Sequence, residues 1–200
     1  MALLGIRARV RAPQRVQASA GTWCVVCGLL LLGGLDASAQ TGPSREYQVK
    51  AVFLFNFAQF VEWPPAAFAG ANSPIVIGVL GENPFGTYLD QTLRGEKVNN
   101  RPLEVQRYQR VDEIKTCHIL FISPSETERY EQIFAGLQGR SILTVGDTEG
   151  FATLGGMIRF LTEQNRIRLR VNVGAARAAG LTISSKLLRA AEIVGTERNR

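Results

Sequence analysis

The sequence predicts an α/β fold: a mostly parallel, Rossmann-like sheet with helices on both faces and a C-terminal antiparallel hairpin at its edge. Three observations predict it. Residues 74–80 and 117–122 are short, continuous apolar runs, the composition of strands covered on both faces. Helical stretches alternate with such strands in series, which calls for parallel pairing through right-handed crossovers. Near the end, two alternating segments flank Gln164, Asn165 and Arg166, the pattern of a hairpin with one wet face.

Taken in order, residues 1–39 read as a secretory signal. Arg7, Arg9, Arg11 and Arg15 precede a 13-residue apolar run, 23–35, and Ala37-Ser38-Ala39 is a small-x-small cleavage pattern. The run is shorter than the roughly 17 to 25 residues that span a bilayer. Residues 40–200 then form a single domain. Residues 47–62 read as a helix stopped by Trp63-Pro64-Pro65. Residues 74–80 are the first strand. Asn83 and Pro84 read as N-cap and first position of a helix to residue 93. Residues 103–108 alternate as a second strand, and a short helical piece covers 111–114. Residues 117–122 are the third strand. Ser123 and Glu126 suggest a capping box, opening a helix with Ile133, Phe134 and Leu137 as its stripe and Gly139 as its stop. Residues 141–145 are a fourth strand, 146–156 a glycine-rich loop, and 157–161 with 167–173 the hairpin. A small helix near Ala175 stops at Gly180. Residues 184–194 read as the last helix, facing Leu187, Leu188, Ala191 and Val194 inward.

Charge and cysteine content exclude two classes. The chain has 23 basic and 17 acidic residues, a net charge of +6. Residues 1–39 carry four of the basic ones and one of the acidic ones, leaving the rest close to +3. That balance gives no electrostatic footprint for nucleic acid. Cys24 and Cys27 form a C-x-x-C within the apolar signal run and read as filler, not a redox pair. Cys117 is the one cysteine beyond it and lies in a buried strand, the setting of an inert thiol.

The sequence carries no recognisable cofactor, metal or catalytic set. Gly78, Gly81 and Gly86 follow a strand, but their spacing is not G-x-G-x-x-G, and Pro84 removes an amide that a phosphate would need. His118 is the single histidine and sits mid-strand, which suits a hydrogen-bonded core imidazole better than a metal ligand or a triad base. Glu82 and the pair Asp147 and Glu149 follow strands whose carboxyl ends share one edge, where ligands bind in parallel sheets. Asp147 reads foremost as a turn residue beside Gly146. Asn83, Ser123 and Asp147 are the candidate ligand crevice.

The helix at 47–62 is unusually apolar. Tyr47, Ala51, Leu54, Ala58 and Val61 make one face, and Val49, Phe53, Phe57 and Phe60 another. Lys50, Asn56 and Gln59 leave a narrow polar strip, which disfavours membrane insertion. Two stripes fit a helix buried between sheet and last helix, or a face kept for a partner. Phe53, Phe57 and Phe60 are the candidate partner or dimer surface.

The motif order resembles the YfiR family of exported bacterial proteins. Residues 49–64, 77–86, 117–123, 143–151, 155–158 and 183–188 carry the likeness, in sequence, over nearly all of the chain beyond the signal. The resemblance implies a periplasmic α/β regulator and not an enzyme. The best understood member binds the periplasmic sensor part of a membrane-bound diguanylate cyclase and holds it inactive; release raises cyclic-di-GMP and promotes biofilm. Dimers are also implied. Redox control in the family relies on paired cysteines, so Cys117 alone implies that disulfide control is absent here.

Three functions follow as expectations. The first is a periplasmic regulator that represses a membrane diguanylate cyclase through its periplasmic domain. The second is a periplasmic small-ligand sensor at Asn83, Ser123 and Asp147 with no cyclase partner. The third is a hydrolase using Asp147 and Glu149.

Overall fold

The computed structural model describes residues 43–194 of the 200 in the chain. The signal reading of residues 1–39, with Cys24 and Cys27, lies outside the described residues.

Helix α1 (Arg45–Phe60) opens at Ser44, whose hydroxyl accepts from the Tyr47 amide, and gives way to β1 (Val61–Glu62) just ahead of Pro64. Strand β2 (Ile75–Leu80) is buried at every position, as its unbroken apolar run requires. Helix α2 (Tyr88–Leu93) is shorter than expected. Asn83 does not cap it; its Oδ1 accepts from the Phe85 amide and its Nδ2 donates to the Gly86 carbonyl, closing a turn ahead of the helix. Strands β3 (Lys97–Val98) and β4 (Arg101–Tyr108) form a hairpin around Asn99 and Asn100, both at positive φ. The single strand expected at 103–108 is thus the longer arm of a hairpin.

Strand β5 (Ile119–Ile122) leads to a 3-10 stretch, Pro124–Arg129, and then to α3 (Tyr130–Gly136). The expected capping box is absent: the Ser123 side chain caps nothing, and Glu126 is buried against Arg129 instead. After β6 (Leu143–Gly146) the chain coils around Phe151. A side chain at Gly146 or Gly156 would strike that ring, so the glycines are there to admit it. Strands β7 (Ile158–Glu163) and β8 (Arg166–Asn172) make the expected hairpin, with Gln164 and Asn165 at positive φ in its turn.

Helix α4 (Val173–Ala178) ends ahead of Gly180, and β9 (Thr182–Ile183) pairs antiparallel with β1. The last expected helix is only partly there. Helix α5 (Ser185–Arg189) stops after five residues, and β10 (Ala191–Val194) pairs parallel with β8. Ile193 and Val194 favour a strand, and Glu192 faces Arg170 across the pairing, 2.8 Å from carboxylate to guanidinium.

The large sheet runs β10-β8-β7-β6-β5-β2-β4-β3, parallel except at β7–β8 and β3–β4. The hairpin is therefore one strand in from the edge, which β10 occupies. The larger core cluster lies on the α1 face and includes Leu54, Phe57, Ile77, Phe121 and Phe160. A second cluster on the α3 face joins Leu80, Leu120, Ile133 and Phe151. With β4 on one side of β2 and β5 on the other, strand order reverses at β2, and the carboxyl end of β2 and β5 is where a sheet of this topology offers a crevice.

Candidate functional site

The crevice expected beside β2 and β5 is filled. The Glu82 amide donates to Ser125 Oγ at 3.1 Å, and Ser125 in turn donates to Glu126. Gly81 sits at φ +87°, and a Cβ there would collide with Ser125 and Glu126. Phe85 is fully buried and meets the rings of Phe121 at 4.8 Å and Tyr47 at 5.4 Å edge-on. Of the three predicted crevice residues, Asn83 is spent on its turn and Ser123 is buried in the seam. Asp147 alone lines an open space.

That space lies one strand pair away, beyond the end of β6. It is a cavity of about 600 Å³ bounded by Glu46, Tyr47 and Lys50 of α1, by Asp147 and Thr148 after β6, and by residues 159–163 of β7. Lys50 is buried in its wall. Lys50 belongs to the narrow polar strip expected with Asn56 and Gln59, yet it is only 2% exposed. It stands at helical spacing from Leu54 and Phe57, on the buried face of α1. A buried ammonium needs partners. Lys50 Nζ lies 2.6 Å from Asp147 Oδ2 and 2.6 Å from Glu46 Oε1. Tyr47 also donates to Asp147 Oδ2, at 2.9 Å. Burial, followed by the Asp147 charge, raises the Tyr47 phenol well above its ordinary range. The hydrogen bond from Lys50 holds the Glu46 carboxyl below its ordinary value. Asp147 thus ties α1 to the sheet. Glu149, its partner in the hydrolase reading, is exposed and does not line the cavity.

A second cavity, about 530 Å³, lies on the α3 face near Arg110, Arg129 and Arg140. Its charges are already matched: Arg110 to Asp112, Arg129 to Glu126, and Arg140 to the Ile114 carbonyl.

His118 is a structural group. Its Nδ1 accepts from the Val76 amide at 3.0 Å and its Nε2 faces the Ala67 carbonyl at 3.2 Å, which fits a neutral ring protonated at Nε2. Phe68 stacks on it at 4.6 Å, with Arg101 over the far face of Phe68. Burial pushes the imidazole pKa down. Among the described residues, no group of three His, Cys, Asp or Glu side chains is placed to hold a metal ion. Cys117 is buried, and burial pushes its thiol up to about 12.

The three phenylalanines divide. Phe57 is fully buried and stacked on Phe160 at 5.8 Å, at the base of the helix face. Phe53 and Phe60 are half-buried and, with Phe57, Ile167, Leu169 and Leu187, line an apolar groove of about 270 Å³. Burial therefore accounts for the first stripe and for Phe57, and the second stripe is partly open.

The described residues thus form a doubly wound α/β domain with a polar crevice at its carboxyl edge and an apolar groove along its first helix. Residues 47–192 match the YfiR/HmsC-like family model, and the chain belongs to that family. The family comprises exported regulators of diguanylate cyclase signalling, regulatory rather than catalytic proteins. Among the described residues, no helix is long and apolar enough to cross a membrane.

Proposed function

We propose that this protein acts in the periplasm and represses a membrane-bound diguanylate cyclase by binding its periplasmic sensor domain. The observation that carries the reading is the family match, which spans residues 47–192 and so nearly every described residue. The α1 groove supports it. Phe53, Phe60 and Ile167 offer half-buried apolar area beside the exposed Val49 and Val52, the kind of surface a protein partner desolvates. Deleting the gene is expected to raise cellular cyclic-di-GMP and biofilm mass. Restoring the gene with Phe60→Glu is expected to leave cyclic-di-GMP high while the variant still accumulates as folded protein. Unchanged cyclic-di-GMP on deletion, with no cyclase co-purifying, contradicts the proposal.

A further inference from the structure

Strand β8 carries a different chemistry on each of its faces. Ile167, Leu169 and Val171 pack into the α1-side core, and Ile167 and Leu169 line the apolar groove. Arg166, Arg168 and Arg170 alternate with them and so stand on the opposite face of the sheet. Arg159 of β7 lies directly across the hairpin from Arg170 and joins them there. The α3-side core takes no residue from β7, β8 or β10, and α4 and α5 add Val173, Ala176 and Leu187 to the α1-side core instead. This stretch of sheet therefore has an apolar core on one face and an arginine-rich surface on the other.

The four arginines meet two glutamates on that face. Glu163 lies 3.2 Å from Arg168, and Glu192 lies 2.8 Å from Arg170. Arg166 is across the hairpin from Glu163 but loses it to Arg168. Among the described residues, Arg159 and Arg166 have no carboxylate within ion-pair distance. Two positive charges are thus left over. Like charges directly across a strand pair destabilise a sheet, and Arg159 opposite Arg170 is such a pair. Solubility alone asks for interspersed signs, not for this excess. The placement costs the fold stability and points to a negative partner.

We infer that this face docks an acidic, extended segment of a partner protein that runs along β8 with carboxylates at alternate positions. The residue type fits. Every cation on the face is an arginine, whose planar fork pairs with a carboxylate through two hydrogen bonds. The spacing fits as well. Arg166, Arg168 and Arg170 recur every second residue, about 6.6 Å apart, which is the repeat of side chains on one face of any extended chain. An anionic bilayer fits less well. Interfacial binding needs apolar anchors that enter the headgroup region, and Leu161 is the one apolar side chain set among the arginines. Glu163 and Glu192 would also repel phosphate headgroups. The inference does not depend on the cyclase reading, whose contact uses the α1 groove on the other face of the same hairpin.

Fluorescence anisotropy of the purified protein at low salt tests it, with short labelled peptides that carry glutamate, glutamine or lysine at every second position and serine between. The glutamate peptide is expected to bind saturably and to weaken as salt rises, and the other two not to bind. Arg166→Gln combined with Arg168→Gln is expected to weaken binding at least about tenfold. Arg94→Gln combined with Lys97→Gln removes equal charge near the other edge of the sheet and is expected to change binding by less than about twofold. All four positions are exposed, and thermal melts check that both double variants are folded. No saturable binding of the glutamate peptide, equal weakening by the two folded double variants, or a preference of Arg166 and Arg168 for phosphatidylglycerol vesicles over the peptide overturns the inference.

Discussion

Two stretches of one sheet edge have opposite designs. Beyond β2 and β5, where strand order reverses, the space is closed by Phe85, Phe121 and Tyr47 and stitched by Ser125. Beyond β6 and β7, the space is open, charged and incompletely hydrogen-bonded. Topology places crevices at a reversal of strand order, but side chains decide whether they stay empty. Here the first helix decides both. Tyr47 sends its ring to Phe85 and its hydroxyl to Asp147, so one residue seals the first space and borders the second.

The comparison breaks most sharply at Lys50. Lys50→Met leaves Asp147 buried with its charge uncompensated, and unfolding free energy is expected to fall by about 3–5 kcal/mol. Adding Asp147→Leu should recover much of that loss, since an apolar pair of similar size removes the stranded charge. Urea denaturation of the two variants checks both. On the closed side, Gly81→Ala places a side chain at φ +87° against Ser125 and Glu126, and is expected to cost about 2–4 kcal/mol. Its effect should be confined to stability, with the Lys50–Asp147 pair beyond β6 kept in the folded fraction.

Acid is expected to loosen the structure at His118. Because burial holds the folded imidazole below its unfolded pKa, the native state binds fewer protons than the unfolded chain. The stabilisation is complete above about pH 6.5, the ordinary histidine value, and is lost progressively as pH falls below it. Thermal melts from neutral to mildly acid pH should show this decline, and His118→Phe should flatten it relative to the parent. The smallest effect is expected at the surface. Arg107 pairs with Asp90 where both are about two-fifths exposed, and Arg107→Ala should change stability by less than about 1 kcal/mol.

What was legible in the sequence was local. The apolar run of β2, the interrupted alternation of β7 and β8, and the Pro64 boundary each carry their signal within a few residues. The Asn99-Asn100 turn has a local signal too, because adjacent asparagines tolerate positive φ, but a partner strand of only two residues is too short to show alternation. Strand β10 was obscured for another reason. Leu187, Leu188, Ala191 and Val194 fit a helical stripe, yet Glu192 gains Arg170 only if the chain extends. The candidate site depended on distance in sequence. Asp147 was named from its place after a strand, but the burial of Lys50 follows from a contact 97 residues away. Arg159 alternates with Ile158 and Phe160, which pack towards α1, and so follows strand alternation onto the other face of the sheet. Only the shortness of β6 turns these residues into one wall.

The regulatory account is tested most directly by cyclase activity. A membrane cyclase that co-purifies with the protein would be reconstituted in lipid discs and its cyclic-di-GMP synthesis followed as purified protein is added to the outer face. Synthesis is predicted to fall to a plateau at saturating protein, and Phe60→Glu to leave it unaffected. An undiminished rate at every protein concentration would contradict the account.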